Sequence, residues 1–242
     1  MRILITGGQS LIGQAIGQHR KALGDQVILT SSRAEGMQKL GGDFEVFQFD
    51  LKNPLACEAA LDELLKKGLD GVILNAASES PRLAQFDKLE WNEIQDFLNA
   101  NVNGNIWLLQ KLLPHFKNQK FGRVVFMSSM LTESPLQGYS VYAAAKSSLE
   151  TVVKYIAMEY GEFNITANTV RLGIFKTERN KAFWRRDSIR EKMESRISLK
   201  RLGSPENILP LMDALLDKDS YIQGSAVEVC GGLFTPTQSR DA

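Results

Sequence analysis

Tyr142 and Lys146 stand four residues apart, so on a helix they share one face. A phenol with a pKa of about 10 is a poor base near neutrality. An ammonium fixed beside it favours the phenolate and lowers that pKa. Proton exchange with a carbonyl or alcohol oxygen then becomes practical. Ser128 and Ser129 follow the apolar run Arg123–Met127. A serine hydroxyl at the carboxyl end of a strand is placed to hydrogen-bond an oxygen on which charge develops. Tyr-x-x-x-Lys and Ser-Ser each arise often by chance, so their weight depends on whether the elements around them bring them to one place.

Those elements alternate. Arg2–Thr6 is a β-branched run that ends in Gly7-Gly8 and predicts a buried strand and a turn. Ile12, Ala15 and Ile16 begin a helical period that Gly24 stops. Strands are predicted at 26–30, 44–49, 72–74, 123–127, 165–170 and 225–229. Helices are predicted from Pro54 to about Lys67, from 89 to 113 with a division near Gly104, from 140 to 160, and after Pro205. Uniformly apolar strands alternating with helices point to a doubly wound α/β fold, a Rossmann-like parallel sheet of about seven strands with helices on both faces. No linker or repeat divides residues 1–242, and one domain is expected. Polar residues around Trp184 interrupt the alternation, so 176–200 is expected to form a flap.

In such a sheet, ligands bind beyond the carboxyl ends of the strands. The turn Thr6–Gly13 is rich in glycine and opens a helix, a place where backbone N–H groups meet phosphate. The second strand ends Ser31-Ser32-Arg33. An acidic residue there holds a ribose diol, whereas arginine suits a 2′-phosphate. Ser32 followed by Arg33 therefore favours NADP(H) over NAD(H).

The 242 residues carry a net charge of +1, which argues against nucleic acid or an anionic membrane as the main partner. Two cysteines without a CxxC pair fit a reducing compartment, and no apolar run reaches membrane-spanning length, so a soluble cytoplasmic protein is expected. His19 and His115 lack neighbouring ligand candidates, and no metal site is expected.

Across almost its whole length the chain resembles the short-chain dehydrogenases/reductases. Residues 6–13 match that family's Thr-Gly-x-x-x-Gly-x-Gly turn except at Leu11, and Gly7, Gln9, Ser10, Leu11 and Ile12 would line the cofactor there. Asp50-Leu51 resembles the adenine-contacting segment, and Leu74-Asn75-Ala76-Ala77 the Asn-Asn-Ala-Gly strand end. Asn101 opens the segment that holds the family's active-site asparagine. Ser129 lies thirteen residues before Tyr142, the family spacing, and Tyr142-Ala-Ala-Ala-Lys146 completes a tetrad. Leu172-Gly173-Ile174-Phe-Lys-Thr177 resembles the Pro-Gly-x-x-x-Thr loop over the nicotinamide. Arg201–Glu206, Ile222–Gly224 and Gly231-Gly232 resemble the C-terminal signatures.

The resemblance implies that Tyr142 exchanges the proton. Lys146 would lower its pKa and bind the nicotinamide ribose, Ser129 would stabilise the reacting oxygen, and Asn101 would hold a water relaying protons to Lys146. It also implies a homotetramer, or a homodimer, built through residues 102–118, 140–160 and the C-terminal strand. The substrate expected is a small-molecule ketone or secondary alcohol. The nearest likeness is to 3-oxoacyl-carrier-protein reductases, and Arg185-Arg186 would suit the anionic groups of a carrier protein or coenzyme A.

Four positions depart from the pattern. Leu11 replaces a glycine beside the pyrophosphate, Leu74 and Ala77 alter the strand-end motif, and Leu172 replaces a proline. Leu11 and the altered Leu74-Asn75-Ala76-Ala77 segment motivate one alternative, a non-catalytic dinucleotide-binding sensor or assembly module; the runner-up among enzymes is an alcohol or sugar-type dehydrogenase working oxidatively, with Arg33 as the discriminating residue because NADP pools favour reduction.

Overall fold

The computed structural model describes residues 1–40, 42–77, 83–178 and 180–233. Seven parallel strands form one sheet: β1 Arg2–Ile5, β2 Gln26–Ser31, β3 Glu45–Gln48, β4 Gly71–Leu74, β5 Gly122–Ser129, β6 Ile165–Leu172 and β7 Ala226–Val229. Their order is β3-β2-β1-β4-β5-β6-β7, with the reversal between β1 and β4. Ligands of open α/β sheets bind at such a reversal.

Side-chain alternation feeds two cores. Leu4, Ile28, Val72, Leu74, Val124 and Phe126 face one layer, built on α3 (Glu58–Lys66), α5 (Gly104–Gln119) and α6 (Ser140–Tyr160). Ile3, Ile5, Leu29, Ile73, Val125 and Met127 face the other, built on α1 (Leu11–Ala22), α2 (Ala34–Leu40) and α9 (Leu209–Leu216). Both strand faces are buried, which is why the strands read as apolar runs. A third cluster, Phe97, Val141 and Ala145, packs α4 (Trp91–Leu98) on α6 and seats Tyr142.

Punctuation in the sequence appears where expected. Gly24 and Gly68 lie past their helices at φ +90° and +84°, a region that favours glycine. The division near Gly104 is real and sharper than a loop: a π turn, Asn99–Asn103, joins α4 directly to α5. Three helices were not expected. One is α2, whose seven residues include Gly36. The other two lie within residues 176–200, where a flap was expected: α7 Lys181–Trp184 and α8 Asp187–Ser195. The flap's Arg179 lies outside the described residues. Ser128 and Ser129 are the last residues of β5 rather than a turn after it.

Candidate active site

The first turn is braced from β4. Buried Thr6 Oγ1 accepts from the N–H groups of Asn75 (3.0 Å) and Ala76 (2.9 Å). Asn75 Nδ2 donates to Thr6 O (3.0 Å), Gly7 O (3.1 Å) and Ser10 Oγ (3.0 Å). Ser10 caps α1, its Oγ accepting from Gly13 N at 3.0 Å. Leu11 and Ile12, the first residues inside α1, then carry backbone N–H groups with no intrahelical acceptor. These donors and the positive end of the helix suit a phosphate.

Glycine is dictated at three positions of this turn, including Gly8, where a Cβ would sit 2.6 Å from Leu29 Cβ. Gly7 has φ +66°, and a Cβ there would sit 2.8 Å from Ala76 Cα. A Cβ on Gly13 would sit 2.7 Å from Gly7 O. Leu11, by contrast, is 38% exposed.

Beyond β2, Ser31 Oγ accepts from Arg33 N (3.1 Å) and donates to Arg33 O (3.0 Å). This closed loop presents Ser32 and Arg33 to solvent, and the Arg33 guanidinium makes no ion pair among the described residues. Gly36 of α2 lies against Ser31 Oγ and under the Gln9 side chain. The roles of Ser31 and Gly36 were not read from sequence, because the short helix that carries Gly36 has no strong periodic signal. Beyond β3, Asp50 Oδ1 accepts from Lys52 N at 2.9 Å. Leu51 is buried against the start of α5, where a Cβ on Gly104 would lie 2.4 Å from Leu51 O. Ala76 and Ala77 are half-buried past the end of β4.

Asn101 is buried in the π turn. Its Nδ2 donates to Phe97 O (2.9 Å), and its own carbonyl accepts from Asn105 Nδ2 (2.8 Å). Such an inserted turn re-aims carbonyls that a regular helix would consume. Tyr142 lies between Phe97 and Tyr139, with ring centroids at 6.4 and 6.1 Å. Lys146 is buried. Its Nζ donates to Met127 O at 2.8 Å and lies 5.9 Å from the Tyr142 ring centroid. Ser129 pairs in register with Leu172 of β6, and its Oγ accepts from Leu131 N at 3.2 Å.

Leu172 in turn pairs with Val229, and Gly173 N donates to Val229 O at 3.0 Å. The leucine therefore leaves β6 in the ladder up to the loop. A Cβ on Gly173 would lie 2.7 Å from Cys230 Cα, so glycine is required there. Ile174 is half-buried in the loop that follows. Thr177 donates from both N and Oγ1 to Asn180 Oδ1 (2.9 Å each), and Asn180 Nδ2 donates to Phe175 O (2.7 Å). Trp184 Nε1 donates to Thr177 O at 3.0 Å, so the indole braces the loop from behind. Arg185 and Arg186 are exposed beside it.

The turn 6–13, Ser31, Asn75, Ser129 and Leu172 lie at or just past the carboxyl ends of their strands, and Lys146 reaches that edge through Met127 O. Among the described residues no cluster of His, Cys, Asp and Glu could hold a metal ion. None of the helices there is long and apolar enough to cross a membrane. His19 pairs with Asp213 at 2.9 Å, and His115 bonds the backbone of Leu69.

A family model described as enoyl-(acyl carrier protein) reductase matches residues 8–234. The chain belongs to the short-chain dehydrogenase/reductase family of oxidoreductases. Among curated members it is similar to the 3-oxoacyl-[acyl-carrier-protein] reductase FabG of Aquifex aeolicus, at 28% identity over 96% of each chain. It is also similar to the 3-oxoacyl-[acyl-carrier-protein] reductase MabA of Mycobacterium bovis, at 30% identity over 96% of this chain and 92% of that one. The family fold is equally clear in YwfH, an NADPH dependent reductase involved in bacilysin biosynthesis. Its TM-score is 0.89 at 20% identity, covering 97% of this chain and 98% of that one.

Proposed function

We propose that the protein is an NADP(H)-dependent carbonyl reductase that converts a ketone, including a 3-oxoacyl thioester, to a secondary alcohol. The observation that carries this reading is the joint placement of Tyr142 and buried Lys146 on α6 beside the Ser129 end of β5. The FabG and MabA likeness supports the thioester class.

The residues present fit the cofactor. Gly7, Gln9, Ser10, Leu11 and Ile12 would hold its pyrophosphate, Ser32 and Arg33 its 2′-phosphate, and Asp50 and Leu51 its adenine. Asn75, Ala76 and Ala77 would wall the adenosine ribose, and Leu172, Gly173, Ile174 and Thr177 would close on the nicotinamide. The bound cofactor supplies the hydride.

The chain does the rest. Ser129 Oγ donates to the substrate oxygen, and Tyr142 delivers the proton to it. The Lys146 ammonium beside Tyr142 stabilises the phenolate left after proton transfer and reaches the nicotinamide ribose. Asn101, in its π turn, anchors the water that returns the proton to Lys146. Exposed Arg185 and Arg186 suit the phosphates of a carrier-bound or coenzyme A-bound acyl group. Assembly would use two-fold contacts through α5, α6 and the edge strand β7, where Tyr155 and Met158 are exposed. Action in the cytoplasm accords with an NADPH-driven reduction.

The test is a fluorescence titration with NADPH and NADH of wild type and Arg33→Ala, followed by NADPH oxidation with acetoacetyl-coenzyme A and with free ketones. Selective loss of NADPH affinity in Arg33→Ala, and a loss of about 100-fold or more in kcat for Tyr142→Phe, are expected. Failure to bind either cofactor would end the enzyme reading. Binding without turnover of any ketone would favour the sensor or assembly module.

A further inference from the structure

Tyr142, Lys146 and Glu150 recur at four-residue spacing on α6, and the last two hold consecutive residues of β5. Lys146 Nζ takes Met127 O at 2.8 Å. Glu150 Oε1 accepts from Ser128 Oγ at 2.5 Å. The next residue of the strand is Ser129. The Glu150 carboxylate also accepts from Thr132 Oγ1 at 3.3 Å, in the turn that follows, and Thr132 Oγ1 donates to Ser129 O at 2.9 Å.

Arg171 closes the arrangement from β6. Its Nε lies 3.1 Å from each Glu150 oxygen, and one terminal nitrogen lies 2.6 Å from Oε2. Arg171 is the in-register neighbour of Ser128 and meets Glu133 at 2.7 Å and Glu228 at 3.7 Å. The side chains of Glu150 and Arg171 are only 12% and 18% exposed. Hydrogen bonding to Glu150 pushes the Arg171 guanidinium further toward its charged form. A mostly buried ion pair is tolerated when its lone pairs and protons are satisfied, and a bidentate guanidinium–carboxylate pair adds geometric precision.

A helix slip of one residue moves side chains by about 1.5 Å along the axis. A misplacement of about 1 Å costs on the order of 100-fold in a positioned reaction. We propose that Glu150, held by Arg171, is a positioning residue that locks the register of α6 on β5 and thereby places Tyr142 against Ser129. This rests on the reductase reading above.

Wild type, Glu150→Ala, Glu150→Gln, Ser129→Ala and Ser129→Ala/Glu150→Ala are compared in thermal midpoint, NADPH Kd and kcat with acetoacetyl-coenzyme A. Glu150→Ala is expected to lower kcat at least tenfold while NADPH Kd stays within twofold. Glu150→Gln keeps an Oε1 acceptor for Ser128 but sets an amide donor against the Arg171 guanidinium, so it is expected to fall between Glu150→Ala and wild type. In the Ser129→Ala background the Glu150 change should have little further effect, because its benefit passes through Ser129. Should Glu150→Ala not fold, Ser128→Ala takes its place: it removes the Glu150 contact with β5 and leaves the Arg171 pair and the Lys146–Met127 link, with a threefold or greater loss expected. A kcat within twofold of wild type, or losses that multiply in the double variant, would overturn the proposal while leaving the reductase reading intact. Absence of wild-type turnover would instead remove both.

Discussion

The side-chain amide of Asn75 reaches Ser10 Oγ at 3.0 Å across 65 residues of chain, tying the end of β4 to the cap of α1. The same amide holds two carbonyls of the glycine turn, so the turn's shape depends on a residue outside it. Asn75→Ala leaves those acceptors without their donor. It is expected to cost about 1–3 kcal/mol in urea unfolding. It should also weaken NADPH binding more than it lowers kcat at saturating cofactor. An unchanged Kd would mean that the turn holds its shape without the brace.

Leu11 tests a departure from the family pattern. Because the turn offers phosphate its backbone N–H groups and the Leu11 side chain is part-exposed, Leu11→Gly should change NADPH Kd by less than threefold. It should lower stability by about 0.5–1 kcal/mol, since glycine in a helix loses more freedom on folding. A tenfold tightening on titration would show instead that the leucine obstructs the pyrophosphate.

Glu45 on β3 accepts from Arg2 through both oxygens at 2.9 Å and meets Lys67 at 3.3 Å. Burial pushes its carboxyl pKa up, but Arg2 and Lys67 together outweigh this and leave it below its ordinary value of 4.5. A lowered folded-state pKa gives stability that is present above the unfolded pKa and lost as pH falls through the folded one. The side chain is 44% exposed, so screening keeps the contribution to about 0.5 kcal/mol. Glu45→Gln should therefore be slightly less stable than wild type at pH 7 and indistinguishable near pH 3. A gap that persists in acid unfolding curves would point to packing rather than charge.

Much of the architecture was legible because it is written locally. Both faces of each inner strand are buried, so 2–5, 26–31 and 71–74 read as apolar runs, and Gly24 and Gly68 mark helix ends by the backbone they permit. The family spacing of Ser129, Tyr142 and Lys146 was legible for the same reason: it lies within one strand, one turn and one helix. The α2 helix was not, since a seven-residue segment with a central glycine has little intrinsic helicity and is held by contact with β2 and β3. The flap helices escaped because they are short and charged: α8 offers only Ile189 and Met193 as apolar residues.

By itself the sequence determined the seven strands and the longer helices, which residues share a helix face, and which glycines can turn the chain. These depend on neighbours a few residues apart. Only the tertiary structure decided that Asn75 braces Ser10, that Trp184 holds Thr177 instead of facing outward as a free aromatic, and that Glu150 and Arg171 meet beneath Ser128. Such pairs join segments whose proximity follows from strand order and register, and no local periodicity encodes the distance between them.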